Sequence, residues 1–216
     1  MKNRTKLAFI TTTVLVVYLL TGCLPSLQPL YTTDKLVLLN GLTGVWQAEN
    51  GGTDQNGTSK KPEVWTFRKE EDKSYLLIHE DEDGFVAALD VHVVKLGSHY
   101  FMDFYPGQLP NDETINSVGK IVRDPLQMNS FLQLHLLAVH TFAKIELSAK
   151  KLKINMFDPD FLKNLLEGQQ IRIKHEKIDD DYILTASSSD LQKFVEKYAE
   201  EEEAFLDDPM VLNLQN

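Results

Sequence analysis

The chain reads as a mainly β protein: an antiparallel barrel with a short inserted helix and an amphipathic helix near the C-terminal end. Three observations predict this. Short apolar stretches of alternating polarity recur between Gly41 and Phe157, compact turns join them, and two helix-start signals stand only after that region.

Glu63-Val64-Trp65-Thr66-Phe67-Arg68 alternates large apolar and polar side chains, which puts Trp65 and Phe67 on one face of a strand. After the charged turn Lys69 to Lys73, a second strand runs from Ser74 to His79. Asp81-Glu82-Asp83-Gly84 turns the chain again, with Gly84 free to take a positive φ. A long strand from Phe85 to Lys95 is turned by Leu96-Gly97-Ser98 into His99 to Tyr105. A loop rich in Pro, Gly, Asn and Asp follows from Pro106 to about Gly119, and then Ala138 to Leu147 pairs with Leu152 to Phe157. Serial hairpins of this kind build an antiparallel barrel or sandwich.

Asp158-Pro159-Asp160 opens the inserted helix, with an N-cap, a proline at the first helical position and an acid at the positive end of the dipole. It stops near Gly168. Ile171 to Ile178 and Tyr182 to Thr185 form a hairpin around Asp179-Asp180-Asp181. Ser187-Ser188-Ser189-Asp190 then resembles a capping box. Behind it Leu191, Phe194, Val195 and Tyr198 make an apolar stripe that should pack on the barrel wall, with Gln192, Lys193, Glu196 and Lys197 on the other faces.

The N-terminal end carries an address. Lys2, Arg4 and Lys6 precede an uncharged, mostly apolar run from Leu7 to Leu20, short for a membrane span. Leu20-Thr21-Gly22-Cys23 then resembles the bacterial lipobox, in which small residues suit the peptidase and the cysteine thiol accepts the lipid, palmitate among its acyl chains. The alternative is an uncleaved signal anchor. Under the lipobox reading, residues 1–22 are a signal peptide, 23–40 a lipidated N-terminus and tether, 41–206 the β domain and 207–216 a tail. Cys23 is the single cysteine, so no disulfide forms within the chain and no cysteine cluster or cysteine nucleophile is available. Removing residues 1–22 leaves 194 of 216 residues, enough for one domain, and takes three basic residues away, so the net charge moves from −10 to −13. Such acidity repels nucleic acid, and the expected membrane partner is reached through the lipid. The expected location is extracytoplasmic and lipid-anchored; Leu24, and no aspartate, follows the cysteine, which implies the outer membrane in a host with two membranes.

Gly44-Val45-Trp46 in the first strand, followed by hairpins and a late helix, resembles the lipocalin-like (calycin) family. The resemblance implies structural roles for Gly44, which allows close packing, and for Trp46, which plugs one barrel end. For the arginine that often lies over that tryptophan, Arg172 is the candidate. Pro29-Leu30-Tyr31, Leu42-Thr43-Gly44-Val45-Trp46, Val64-Trp65-Thr66-Phe67 and Leu184-Thr185-Ala186-Ser187 together are similar to a set of small bacterial lipoproteins of unknown function.

No residue pattern singles out a reaction, no cofactor is implied, and no glycine-flanked nucleophile serine is present. Asp90 and His92 share a strand face and could meet on one ion, with His99 on the neighbouring strand, whereas His135 and His140 fall on opposite faces; the plainer reading is ordinary histidines. Trp65, Phe67, Tyr75, Phe85, Tyr100 and Phe104 recur along the strands as core, or as the lining of a pocket for a small apolar ligand or lipid. Two functions stand open: a binding module with a hollow barrel, and an envelope interaction or structural protein with a filled one.

Overall fold

The computed structural model describes residues 24–49, 59–70, 73–107 and 137–215. The barrel strands are β1 (Gly44–Ala48), β2 (Val64–Lys69), β3 (Ser74–Glu80), β4 (Val86–Leu96), β5 (His99–Pro106), β6 (Thr141–Leu147), β7 (Lys151–Met156) and, last in the chain, β10 (Met210–Leu214). They close in the order β1-β10-β7-β6-β5-β4-β3-β2, every neighbouring pair antiparallel. Between β7 and β10 come α1 (Pro159–Glu167), the hairpin β8 (His175–Ile178) with β9 (Asp181–Leu184), α2 (Ser188–Lys197) and a 3-10 turn, Glu202–Ala204. This is an eight-stranded antiparallel barrel with two helices outside it, consistent with a lipocalin-like fold.

Side-chain alternation divides the molecule into two cores. Inward positions supply Trp46, Trp65, Phe67, Tyr75, Leu77, Val91, Val93, Met102, Phe104, Ile145, Leu152 and Leu212, which form one contiguous buried cluster. The second core lies between the outer wall and a covering layer. Its hub is Phe157, whose ring meets Phe205 at 4.6 Å, Phe142 at 5.9 Å, Phe194 at 6.0 Å and Phe101 at 6.3 Å. A strand wedged between two cores is buried on both faces, so Phe101, Met102, Asp103 and Phe104 are all buried in β5. Elsewhere the outward positions Gln47, Thr66, Arg68 and Lys153 are polar, the reverse of the apolar outer band of a barrel that crosses a membrane. Among the described residues, no helix is long and apolar enough to span a bilayer.

Local chemistry explains the covering layer. The Asp158 carboxylate accepts from Asp160 N at 2.8 Å to cap α1, and Ser187 Oγ accepts from Asp190 N at 3.3 Å to cap α2. The stripe Leu191, Phe194, Val195 and Tyr198 is buried against the barrel wall. Gln192, expected on a water-facing side, is also buried, because its amide reaches the chain segment ahead of the barrel. The left-handed residue at the hairpin turn is Asp179, with φ 55°.

Both ends differ from expectation. Residues 24–42 form a strap that runs along the outer wall and then across one barrel end, with Leu24, Leu30 and Leu36 buried in the outer core and Leu42 in the inner one, where a tether docking only at its end was expected. Four leucines that need burial explain this. The expected tail contains β10, whose Met210, Leu212 and Leu214 point inward; five residues gave too short an alternation to show as a strand. Gly44 has φ 145°, and a Cβ there would stand 2.9 Å from Leu214 Cδ1, so β1 and β10 close the barrel around a glycine. Trp46 fills the same end, its Nε1 donating to Leu42 O at 2.8 Å. Arg172 does not cover it: Arg172 is exposed ahead of β8, outside the barrel.

Trp46→Ala should lower the unfolding free energy by about 3–5 kcal/mol, measured by chemical denaturation. Phe194→Asp should lower the melting temperature of the purified monomer sharply, because it buries an unpaired charge in the second core. A normal melt would mean that the stripe serves a partner instead.

Candidate functional site

The sequence-selected aromatic residues separate into three groups. Trp65, Phe67, Tyr75 and Phe104 point into the barrel and touch one another: Trp65 meets Phe67 at 6.2 Å and Phe104 edge-on at 6.0 Å, and Phe67 meets Tyr75 at 6.5 Å. Tyr100 packs on this cluster from the end that the strap closes. Phe85 does not join them; it stands 53 % exposed in the turn between β3 and β4. β2 and β5 are not neighbours in the closed order, so the Trp65–Phe104 contact spans the lumen.

The two barrel ends are chemically different. At the strap end, Trp46 and Tyr75 are both tied to backbone, Tyr75 through its hydroxyl, which accepts from Leu39 N at 2.9 Å. Burial raises the Tyr75 pKa above its ordinary value, against the opposing effect of that backbone bond. At the opposite end, the mouth, Glu63 Oε2 accepts from Trp65 Nε1 at 3.2 Å and lies 3.1 Å from His79 Nε2. The His79 hydrogen bond holds the Glu63 carboxyl below its ordinary value despite partial burial. This is a half-buried polar group at the rim of an apolar interior. It satisfies the Trp65 indole, and it could equally orient a ligand.

A second polar cluster lies on the outer wall under the strap. Asp103 on β5 is 0 % exposed, flanked by His92 on β4 and Phe142 on β6. Its carboxylate accepts from Leu30 N at 2.6 Å and from His140 Nδ1 at 2.7 Å. The carbonyl of the same Leu30 accepts from Gln192 Nε2 at 2.8 Å. One strap residue is thus gripped at its N–H by the barrel and at its carbonyl by α2. Tyr31 stacks on His92 at 3.9 Å and Tyr105 on His140 at 4.4 Å, while Ser26 and His140 exchange two backbone bonds of 2.8 Å. An Asp–His pair can orient an imidazole for proton transfer. Here both rings are covered by tyrosines and the pair serves to fasten the strap.

The histidine readings resolve accordingly. His92 faces Asp103 across the strands, His99 lies at the far end of the same hairpin and pairs with Glu200 at 2.8 Å, and Asp90 is exposed opposite Tyr105. They do not converge, and among the described residues no group of three or more potential ligands is set to hold a metal. His135 and Cys23 lie outside the described residues. Asp103 and the strap were missed, although an aspartate inside the apolar run Phe101-Met102-Asp103-Phe104 is a readable sign of a buried, partnered charge.

Asp103→Ala strips partners from Leu30 N and His140 at once; it should cost about 3–5 kcal/mol and expose residues 24–36 to limited proteolysis. A pH dependence follows from His92, whose Nδ1 is buried and has no hydrogen-bond partner among the described residues. Desolvation lowers its pKa from 6.5, outweighing the raising influence of Asp103 and Asp90. The unfolded chain then takes up the proton first, so this contribution to stability is complete above about pH 6.5 and is lost as pH falls below it. His92→Phe keeps a ring under Tyr31 and removes the titration; its melting temperature should fall less than that of the wild type between about pH 7 and 5.

The chain matches no protein-family model, no curated protein and no solved structure.

Proposed function

We propose that this protein is a lipid-anchored, extracytoplasmic barrel that fills its lumen with its own side chains and works through its outer surface, as an interaction or structural protein of the cell envelope. The observation that carries the choice between hollow and filled is the Trp65–Phe104 contact of 6.0 Å across the lumen. An eight-stranded barrel has room for inward side chains or for one small ligand, and rings touching across it take up that room. The anchor reading rests on Leu20-Thr21-Gly22-Cys23 behind a basic, then apolar, leader. The two features suit each other: a lipid brings the protein to its place of action, and a solid body presents a shape there.

A second reading, a carrier of a small apolar molecule or lipid, draws support from the Glu63–Trp65–His79 group at the mouth. A polar handle beside an apolar interior is the usual make-up of a ligand site, and a rotation of Trp65 would open the space behind it.

Native mass spectrometry of protein extracted gently from membranes separates the two. The expected mass is that of the polypeptide with its covalent acyl groups. A stoichiometric non-covalent adduct, displaced in a Phe104→Trp variant that narrows the lumen, would establish the carrier instead.

A further inference from the structure

Resting on the lipid anchor proposed above, we infer that the anchor has no free tether, and that the β8–β9 hairpin lies against the bilayer with the lipid headgroups as its partner.

The chain is fastened from the first residues described. Leu24 is 2 % exposed. Pro25 O accepts from Leu184 N at 2.9 Å, Leu27 N donates to Leu184 O at 2.9 Å, and Ser26 is bonded to His140 in both directions. Consecutive Cα atoms are about 3.8 Å apart, so an acyl group on the residue before Leu24 has almost no slack. Peeling the strap away would expose Leu24, Leu30 and Leu36 to water, so the short arrangement is the stable one.

Direction selects the face. The strap bridges β9 in parallel at Ser26 and Leu184, so it comes in from the end at which β9 begins, beside the hairpin turn. Leu24, two residues before Ser26, therefore lies on the side of Leu184 that faces the turn. The surface there has a composition of its own. Lys177 and Ile178 stand next to the turn and are exposed, Ile178 at 55 %, whereas Arg172 and Lys174 lie beyond His175 at the opposite end of β8. The turn that follows is three exposed aspartates, Asp179 to Asp181. One apolar side chain beside three anions complements a zwitterionic headgroup layer, Ile178 at its apolar edge and the aspartates against its ammonium groups. A strongly anionic surface would repel those aspartates together with the rest of this acidic protein.

Cys23 is the single cysteine and is consumed by acylation, so an introduced thiol labels selectively. Ile178→Cys and, on β1 away from the strap, Val45→Cys (41 % exposed) carry a fluorescent probe on the full lipidated chain. The chain is reconstituted in phosphatidylethanolamine–phosphatidylcholine vesicles, and the lipid-free reference is the same protein with Cys23→Ser. The expected result is quenching by aqueous acrylamide reduced at least about threefold at position 178 and unchanged at position 45. A flexible spacer of about ten residues placed after Cys23 should restore quenching at 178. Equal quenching at both positions in an acylated protein overturns the bilayer-facing hairpin and leaves the anchor standing. Failure of the wild type to incorporate a fatty-acid probe overturns both.

Discussion

The grip on Leu30 is the constraint on which the outer half of this protein depends. Its N–H meets the Asp103 carboxylate at 2.6 Å and its carbonyl meets Gln192 at 2.8 Å, so barrel, strap and α2 are joined through the backbone of one residue. A carboxylate taken fully out of water is expensive unless charge-assisted hydrogen bonds replace its hydration. Asp103 obtains two, and neither donor is local in sequence: Leu30 precedes it by 73 residues and His140 follows it by 37. Apolar packing alone would let the strap slide along the wall. The carboxylate, together with the backbone bonds of Ser26 to His140 and of Val37 to Val93, gives it a register.

This arrangement gives the two cores different tasks. The inner one holds the barrel strands together as a support, with inward rings in contact from Trp65 to Phe104. The outer one, centred on Phe157, binds the strap, both helices and the segment at Phe205 to that support. Every functional feature discussed above is attached through the outer core. The mouth group Glu63–Trp65–His79 is the exception, and it belongs to the barrel proper.

Legibility in the sequence followed the range of the interactions. The strands β2 to β7, both helix caps and the stripe of α2 were readable because each is written in neighbouring residues at period two or near 3.6. The division of the aromatic residues was only half readable: alternation placed Trp65 and Phe67 on one face, but no local signal showed that Phe104 would meet Trp65 across the barrel. Phe85 sits beside Gly84 in a turn, and one position decided that it faces water. Gln192 looked like a solvent-facing position on the α2 wheel because its partner, the Leu30 carbonyl, comes from the opposite end of the chain. The strap and β10 escaped for the same reason: what makes each ordered is a surface assembled from distant strands.

The pairing of β1 with β10 sets the order of events during folding. Trp46 sits opposite Leu214, so the first strand waits for nearly the whole remaining chain before its second edge is covered. Until then β1 and β7 each present unpaired N–H and C=O groups, the kind of edge that recruits other strands. Contacts so distant in sequence close late and slowly, because loop entropy is lost before they form. A chain of this design stays an open sheet while it is being made and becomes a closed barrel only after its last strand is available.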